Sequence, residues 1–298
     1  MRLAFRAYIK LRRLVNGSFI ERLPGLSSVN RILYKKIRPG EEVLLDVKGI
    51  KMYVDGRDMD ITPKLLINEF GEEDYEMSLF SKSLKVGMNV VDIGAQVGLY
   101  TLNAAKKIGK KGRVYAFEPR KSNYEMLSKN IKVNGYDNVV AVEKAVSDRI
   151  GKTRLWFEKD WKGSASFSKK SVLTVSGHKK LKNGKSINVK TTSLDDFFVK
   201  VVKNKRINLI KMDAEGAEGL IIKGAEKVLK YNKRLKIFME FWPDSLKNLG
   251  TDPLELLSKL KAYGFDIKFI DGKKRTLKPL NIKNAMTGQG FNLLLEKK

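Results

Sequence analysis

From Asn89 onward, short apolar runs alternate with amphipathic stretches long enough to form helices. Asn89–Ile93, Arg113–Phe117, Val139–Glu143, Asn208–Met212, Lys236–Phe241, Asp266–Ile270 and Phe291–Glu296 read as strands. Strands separated by helices are the signature of a parallel sheet covered on both faces. The helix ends are punctuated. Ser122 reads as the cap of a helix ending at Asn134-Gly135, and Thr251-Asp252-Pro253 opens another that closes before Gly264. The pattern therefore predicts an α/β fold with a doubly wound, mostly parallel seven-stranded sheet, which binds ligands at the carboxyl ends of its strands.

Upstream the pattern differs. Val43–Val47 and Ile50–Val54 flank Lys48-Gly49 and read as a small β-hairpin, followed by a helix over Asp74–Leu84. Residues 1–39 hold ten Arg or Lys against the single acid Glu21. Arg2, Arg6, Lys10 and Arg13 recur at helical spacing, with Leu3, Ala7, Leu11 and Leu14 among the apolar remainder. Such a basic amphipathic helix either lies on an anionic membrane surface or packs on the main domain with its arginines in water. The expected organisation is a basic helical region over 1–39, a hairpin and helix over 40–86, and a main domain over 87–298. Within that domain 153–192 forms an insert, with strands at Thr153–Glu158 and Ile187–Thr192 and a polar loop over Asp160–Ser186.

The candidate chemistry begins at Val90-Val91-Asp92-Ile93-Gly94-Ala95-Gln96-Val97-Gly98, a strand entering a glycine loop and then a helix. Gly94 permits the turn and Gly98 a close helix approach. Glu118, in Ala116-Phe117-Glu118-Pro119 at the end of the next strand, sits where an acid accepts both ribose hydroxyls of an adenosine. A dinucleotide loop needs a middle glycine for its pyrophosphate, and here Ala95 and Gln96 occupy that stretch; no phosphate-cradling G-x-x-x-x-G-K-[ST] occurs either. An adenosine without phosphates, carrying a positive sulfonium, fits better. Asp148, in A-V-S-D after the third strand, is placed to accept from the adenine amino group. Asp213-Ala214-Glu215-Gly216-Ala217-Glu218 puts three carboxylates at the turn after the fourth.

These residues, with Asn130, Asn134-Gly135, G-S-A-S at Gly163–Ser166, V-K-T-T-S-L-D-D at Val189–Asp196 and I-K-M-D-A-E-G-A-E at Ile210–Glu218, resemble the FkbM family of S-adenosylmethionine-dependent methyltransferases. The resemblance spans about residues 70 to 242 and implies a class I methyltransferase fold with S-adenosyl-L-methionine as cofactor. It implies that Asp92, Gly94, Glu118 and Asp148 hold the cofactor, with Ala95, Gln96, Gly98, Pro119, Ser147 and Asp213 beside them. The expected reaction is O-methylation of a hydroxyl on a glycan, a lipid-linked sugar or a small natural product. Asp213, Glu215 and Glu240 are the candidate proton acceptors. Trp161, Ser164, Ser166 and Glu218 are the candidate substrate contacts. Three departures from the family pattern stand out: Gln96 in place of a common Asn, a longer Gly71–Glu76 segment, and a lysine-rich stretch over Lys169–Lys185.

Composition changes this picture in three ways. Cysteine is absent, which removes thiolate metal sites and thiol nucleophiles, and no full metal-ligand set is evident, so no metal is expected. His178, the single histidine, falls on a Ser-Gly-His-Lys-Lys stretch with no orienting partner. The net charge of +27 favours an anionic partner: nucleic acid, anionic lipid or a phosphorylated acceptor. An RNA methyltransferase is therefore an alternative, although D-A-E-G stands where base-methylating enzymes carry an N-P-P-Y-like turn. A membrane-associated protein that keeps the fold without chemistry is a second. No apolar run is long enough to span a bilayer, and arginines interrupt the N-terminal apolar residues, so the expected location is cytoplasmic, with peripheral contact to the inner membrane face through residues 1–39.

Overall fold

The computed structural model describes residues 3–15, 26–67, 73–158, 161–176, 184–203, 206–282, 286 and 290–297. Helices α1 (Leu3–Val15) and α2 (Leu26–Ile37) precede the hairpin β1 (Glu42–Val47) and β2 (Ile50–Asp55). Helices α3 (Ile61–Ile67) and α4 (Glu73–Ser83) lead into the main domain. The hairpin turns at Lys48-Gly49, both with positive φ, and pairs Val47 with Ile50. Such a turn matches the twist of the strands it joins.

The apolar face of β2 (Ile50, Met52, Val54) packs on Val97 of the glycine loop, Leu102 and Met126. Its outer edge meets α6 (Lys121–Val133). There Asn130 accepts from the Tyr53 N–H at 2.6 Å and donates to the Tyr53 carbonyl at 2.9 Å. One helical turn on, Asn134 does the same to Lys51 at 3.0 and 2.7 Å.

In the main domain, β3 (Asn89–Ile93), α5 (Leu99–Ile108), β4 (Arg113–Phe117), α6 and β5 (Val139–Val142) form the first half. The second half has β10 (Leu209–Met212), α8 (Glu218–Lys223), α9 (Glu226–Tyr231), β11 (Lys236–Phe241), α10 (Pro243–Asn248), α11 (Pro253–Ala262), β12 (Phe265–Asp271), β13 (Thr276–Pro279) and β14 (Phe291–Lys297). The sheet has eight strands in the order β13-β12-β14-β11-β10-β3-β4-β5, with β11, β10, β3, β4 and β5 mutually parallel. The first strand of the domain thus lies mid-sheet, where the strand order reverses and a crevice opens above the carboxyl ends. Successive residues serve opposite faces. Val90 joins Phe80, Ala104, Ile108 and Phe238 in one core, while Val91 joins Phe117, Phe198, Ile210 and Met239 in the other.

Three expectations change. The eighth strand, β13, is a polar edge strand ending at Pro279, held by pairing with β12 rather than by an apolar signal. The region expected as a polar loop contains β8 (Trp161–Ser166) and α7 (Lys169–Ser176), between β7 (Gly151–Glu158) and β9 (Gly184–Thr192). With β6 (Ala145–Val146), three of these elements make a second sheet of order β6-β9-β7-β8. The sequence W-K-G-S-A-S lacks alternation, so β8 exists through its ladder to β7, and α7 begins beneath a bond from the Ser171 N–H to the Ser168 hydroxyl, 3.4 Å. Ser122 lies inside the first turn of α6, whose N-cap is Arg120. By contrast Asp252 caps α11 as expected, accepting from Leu254 N and Glu255 N.

The N-terminal helices follow the packing alternative. Phe5 and Ile9 of α1 are buried against Tyr34 of α2 and Leu66 of α3, so this apolar face is already covered by the protein. Lys10 is exposed, Arg2 lies outside the described residues, and so do the side chains of Arg6 and Arg13. Among the described residues, no helix is long and apolar enough to cross a membrane.

Candidate active site

The glycine loop is shaped by contacts from both neighbouring strands. Gly94 N and Ala95 N both donate to the Phe117 carbonyl at 3.0 Å, drawing the loop over β4. Gly94 has φ +84°, and a Cβ there would run into the Asp213 carbonyl beyond β10. Gly98, φ +102°, is the N-cap of α5, where a Cβ would lie 2.7 Å from Leu127. Only glycine fits at either position. Asp92 is buried and accepts from the Thr101 hydroxyl at 2.5 Å; burial raises its carboxyl to about 6, and the Thr101 bond limits the rise.

Glu118 is fixed through both oxygens. Oε2 accepts from the Gln96 N–H at 2.9 Å and Oε1 from the Arg120 N–H at 2.8 Å. Each oxygen keeps a lone pair for a ligand hydroxyl. Burial pushes this carboxyl up to about 7, against the pull of those two backbone bonds. Beside it opens a cleft walled by Pro119, Asn123, Val146 and, from the second sheet and its exit, Leu155, Ala165 and Phe167. An acid at the strand end with apolar walls opposite suits a ribose and its base.

Gly94, Gln96, Asp213 and Glu215 also border a second cavity of 260 Å³. It contains the carboxylates of Asp60, Glu73, Glu76, Asp92, Asp213, Glu215 and Glu240, with Lys64 and Lys211 as its cations. In a chain of net charge +27 this is a concentrated acidic site. Lys211 and Glu76 are each 2% exposed and form an ion pair of 3.0 Å, while Lys211 also reaches Asp213 at 3.4 Å. Burial alone would lower the lysine, but Glu76 and Asp213 more than offset it and hold it well above its ordinary value. One oxygen each from Asp213, Glu215 and Glu240 lie within 4.8 Å of one another. Burial, then repulsion from neighbouring acids, lifts both Glu215 and Glu240 well above the usual carboxylate range. Groups so placed share protons at neutral pH. Where the sequence suggested no metal-ligand set, the fold assembles three carboxylates at a spacing that would also admit a cation.

The expected residues divide into those that line the cavities and those that support them. Asp92, Gly94, Ala95, Gln96, Glu118, Pro119, Asp213, Glu215 and Glu240 line one or both. Asp148 lines neither; it faces Lys223 at 3.5 Å and Arg149 at 3.8 Å. Ser147 is buried, its N–H given to the Thr192 carbonyl. Glu218 lines neither; it turns back on its own loop, accepting from Ala214 N at 2.9 Å. Burial raises its carboxyl to about 7. Ser166 also serves the loop, donating to the Glu215 carbonyl at 2.7 Å. Trp161 and Ser164 belong to β8, but their side chains lie outside the described residues, as does His178. Lys211, Asp60, Lys64 and Asn292 were not among the expected site residues, whereas Glu76 closes the Gly71–Glu76 segment that is longer than in the family. Of the four, Lys211 carried a signal, a lysine inside the apolar run Leu209–Met212.

The family described as the methyltransferase FkbM domain matches residues 92–267, more than half of the chain. Methyltransferase sdnD of Sordaria araneosa is 25% identical over 197 residues, covering 60% of this chain and 73% of that one. Methyltransferase 1 of Beauveria bassiana (strain ARSEF 2860) is 26% identical over 147 residues, covering 46% of this chain and 58% of its own. Among solved structures, a SAM dependent methyltransferase from Aquifex aeolicus has 15% identity and a TM-score of 0.42, covering 80% of this chain and 99% of that one. The matched segment takes in the glycine loop, Glu118, and the turn from Asp213 to Glu218, and the protein belongs to the FkbM methyltransferase family.

Proposed function

We propose that the protein transfers the methyl group of S-adenosylmethionine to a hydroxyl on a glycan, a lipid-linked sugar or a small natural product. The observation that carries this reading is the convergence of Asp213, Glu215 and Glu240 on a cavity that shares its border with the Glu118 cleft. When bound, S-adenosylmethionine supplies an electrophilic methyl on a cationic sulfur. Glu118 and the backbone of Gly94–Gln96 would hold it, the Glu118 carboxylate accepting from the ribose hydroxyls, and the acidic lining would favour its positive charge.

Transfer forms a bond from the acceptor oxygen to the methyl carbon as the carbon–sulfur bond breaks. The hydroxyl proton must then leave the oxygen. Asp213, whose side chain is 36% exposed, meets the acceptor and takes that proton, with Glu215 and Glu240 behind it as further proton acceptors. Holding the oxygen in line with the methyl supplies most of the acceleration. An RNA acceptor is the second reading, favoured by the net charge of +27. The acidic lining opposes phosphates next to the reaction centre.

Calorimetric titration with S-adenosylmethionine, S-adenosylhomocysteine and NAD, on wild type and Glu118→Ala, tests the cofactor part. Binding of NAD without the sulfonium ligand would overturn it. Methyl transfer from labelled cofactor to glycan, lipid-linked sugar or RNA fractions tests the acceptor. If RNA alone is labelled, the hydroxyl-sugar reading falls.

A further inference from the structure

We infer that the outward face of α2, with the tip of α1, docks on an anionic lipid bilayer, and that it does so beside the acceptor side of the active site. This deepens the reading of a lipid-linked acceptor and rests on it for its purpose, though not for its evidence. Helix α2 has two faces. Inward, Tyr34 is buried, its hydroxyl donating to the carbonyls of Gly56 and Asp58 at 3.2 and 3.1 Å. Outward, Val29, Ile32 and Leu33 stand 57%, 58% and 40% exposed, one helical neighbour after another, and Leu11 of α1 is 58% exposed. Lys10, Lys35 and Lys36 are exposed on the same pair of helices, and neither helix contains an Asp or Glu.

Aliphatic groups beside lysines, without acids, complement a surface that is apolar just below its anionic headgroups. The exposed side chains of Val29, Ile32, Leu33 and Leu11 are aliphatic and give a nucleic-acid base no plane to stack on, which favours lipid over RNA. The face that the amphipathic pattern of α1 suggested is a different one, since Phe5 and Ile9 are consumed by packing. Position gives the docking a use. Leu66 of α3 packs on Phe5, Ile9 and Tyr34, while Ile61 and Lys64 of the same helix line the acidic cavity. A single short helix therefore separates the proposed lipid contact from the place where the acceptor enters.

The test is flotation of the full chain with vesicles of phosphatidylcholine alone or mixed with phosphatidylglycerol. The comparison set is wild type, Ile32→Ser/Leu33→Ser and Lys35→Gln/Lys36→Gln, with S-adenosylmethionine titration and circular dichroism as folding controls. The expected result is binding to the mixed vesicles, salt-sensitive and weakened at least about tenfold by either pair of substitutions, with cofactor binding unchanged. The inference is overturned if wild type ignores mixed vesicles. It is equally overturned if both variants float like wild type, or if the substitutions abolish retention on RNA instead. Methyl transfer to a soluble acceptor, measured without vesicles, reports separately on the acceptor reading.

Discussion

Replacing Lys211 by Met tests whether the buried ion pair behind the acidic cavity holds α4 to the sheet. The lysine comes from β10 in the middle of the sheet and Glu76 from α4, with 3.0 Å between charged atoms. Methionine matches the lysine in length and removes its charge. Glu76 is then left buried without its cation, a change that costs about 3–5 kcal/mol when only one partner of such a pair is lost. For a chain of this size that corresponds to a fall in melting temperature of about 5–8 °C.

The pH dependence has a definite sign. Burial already raises the Glu76 carboxyl, and loss of the lysine raises it further. An acid whose folded value exceeds its unfolded value contributes stability below the unfolded value and loses it as pH rises. The penalty of Lys211→Met is therefore smaller at pH 5 than at pH 8. Urea denaturation at both pH values, on Lys211→Met, Glu76→Gln and the double variant, reads it directly. The double variant leaves neither partner of the pair buried without the other and should regain most of the loss. If Lys211→Met stays within about 1 kcal/mol of wild type at both pH values, the pair does not anchor α4 in this way.

Four further outcomes follow from the site. Glu118 titrates near 7 in the free protein, so its ionised fraction and its hold on ribose fall together with pH; calorimetry should show affinity for S-adenosylmethionine about tenfold weaker at pH 6 than at pH 8. Glu118→Gln should flatten that dependence and weaken binding at both values, because its amide must set an N–H against a backbone N–H from Gln96 or Arg120. Gly94→Ala should abolish cofactor binding in the same assay, since φ +84° and the Asp213 carbonyl both oppose a Cβ. Glu240→Gln should lower kcat by about 10²- to 10⁴-fold if it shares the proton transfer, and shift the acidic limb of the pH–rate profile. That limb rises with pH because a proton acceptor of raised value works only once ionised. An unchanged limb in stopped-time methylation assays would remove Glu240 from the step.

Strands driven by burial were legible because their residues are apolar on both faces, as with Val90–Ile93 and Lys236–Phe241. Segments stabilised by pairing were not. Strands β8 and β13 are short and polar, and each exists because a longer strand offers it a ladder. The Glu118 cleft was legible because the loop and Glu118 lie on consecutive strand ends, a local relation along the chain. The acidic cavity was not, because Lys64, Glu73 and Glu76 arrive from helices upstream of the sheet and Asp60 from the bend before α3. Nothing in the spacing of those residues announces that α3 and α4 fold over Lys211. The fate of an amphipathic face was likewise hidden: α1 and α2 carry similar patterns, yet packing consumes the apolar side of one and exposes part of the other.

The paired asparagines of α6 bear on how the protein avoids its own copies. A two-stranded hairpin has two open edges, and β2 would offer one of them to any unfolded or neighbouring chain. Asn130 and Asn134 imitate a third strand there, presenting an amide donor and acceptor to alternate residues, Tyr53 and Lys51, in place of a backbone. Replacing both by Leu would uncover two N–H and two C=O groups pointing outward. The expected consequence is association of chains along that edge, visible as concentration-dependent light scattering before any loss of methyl transfer.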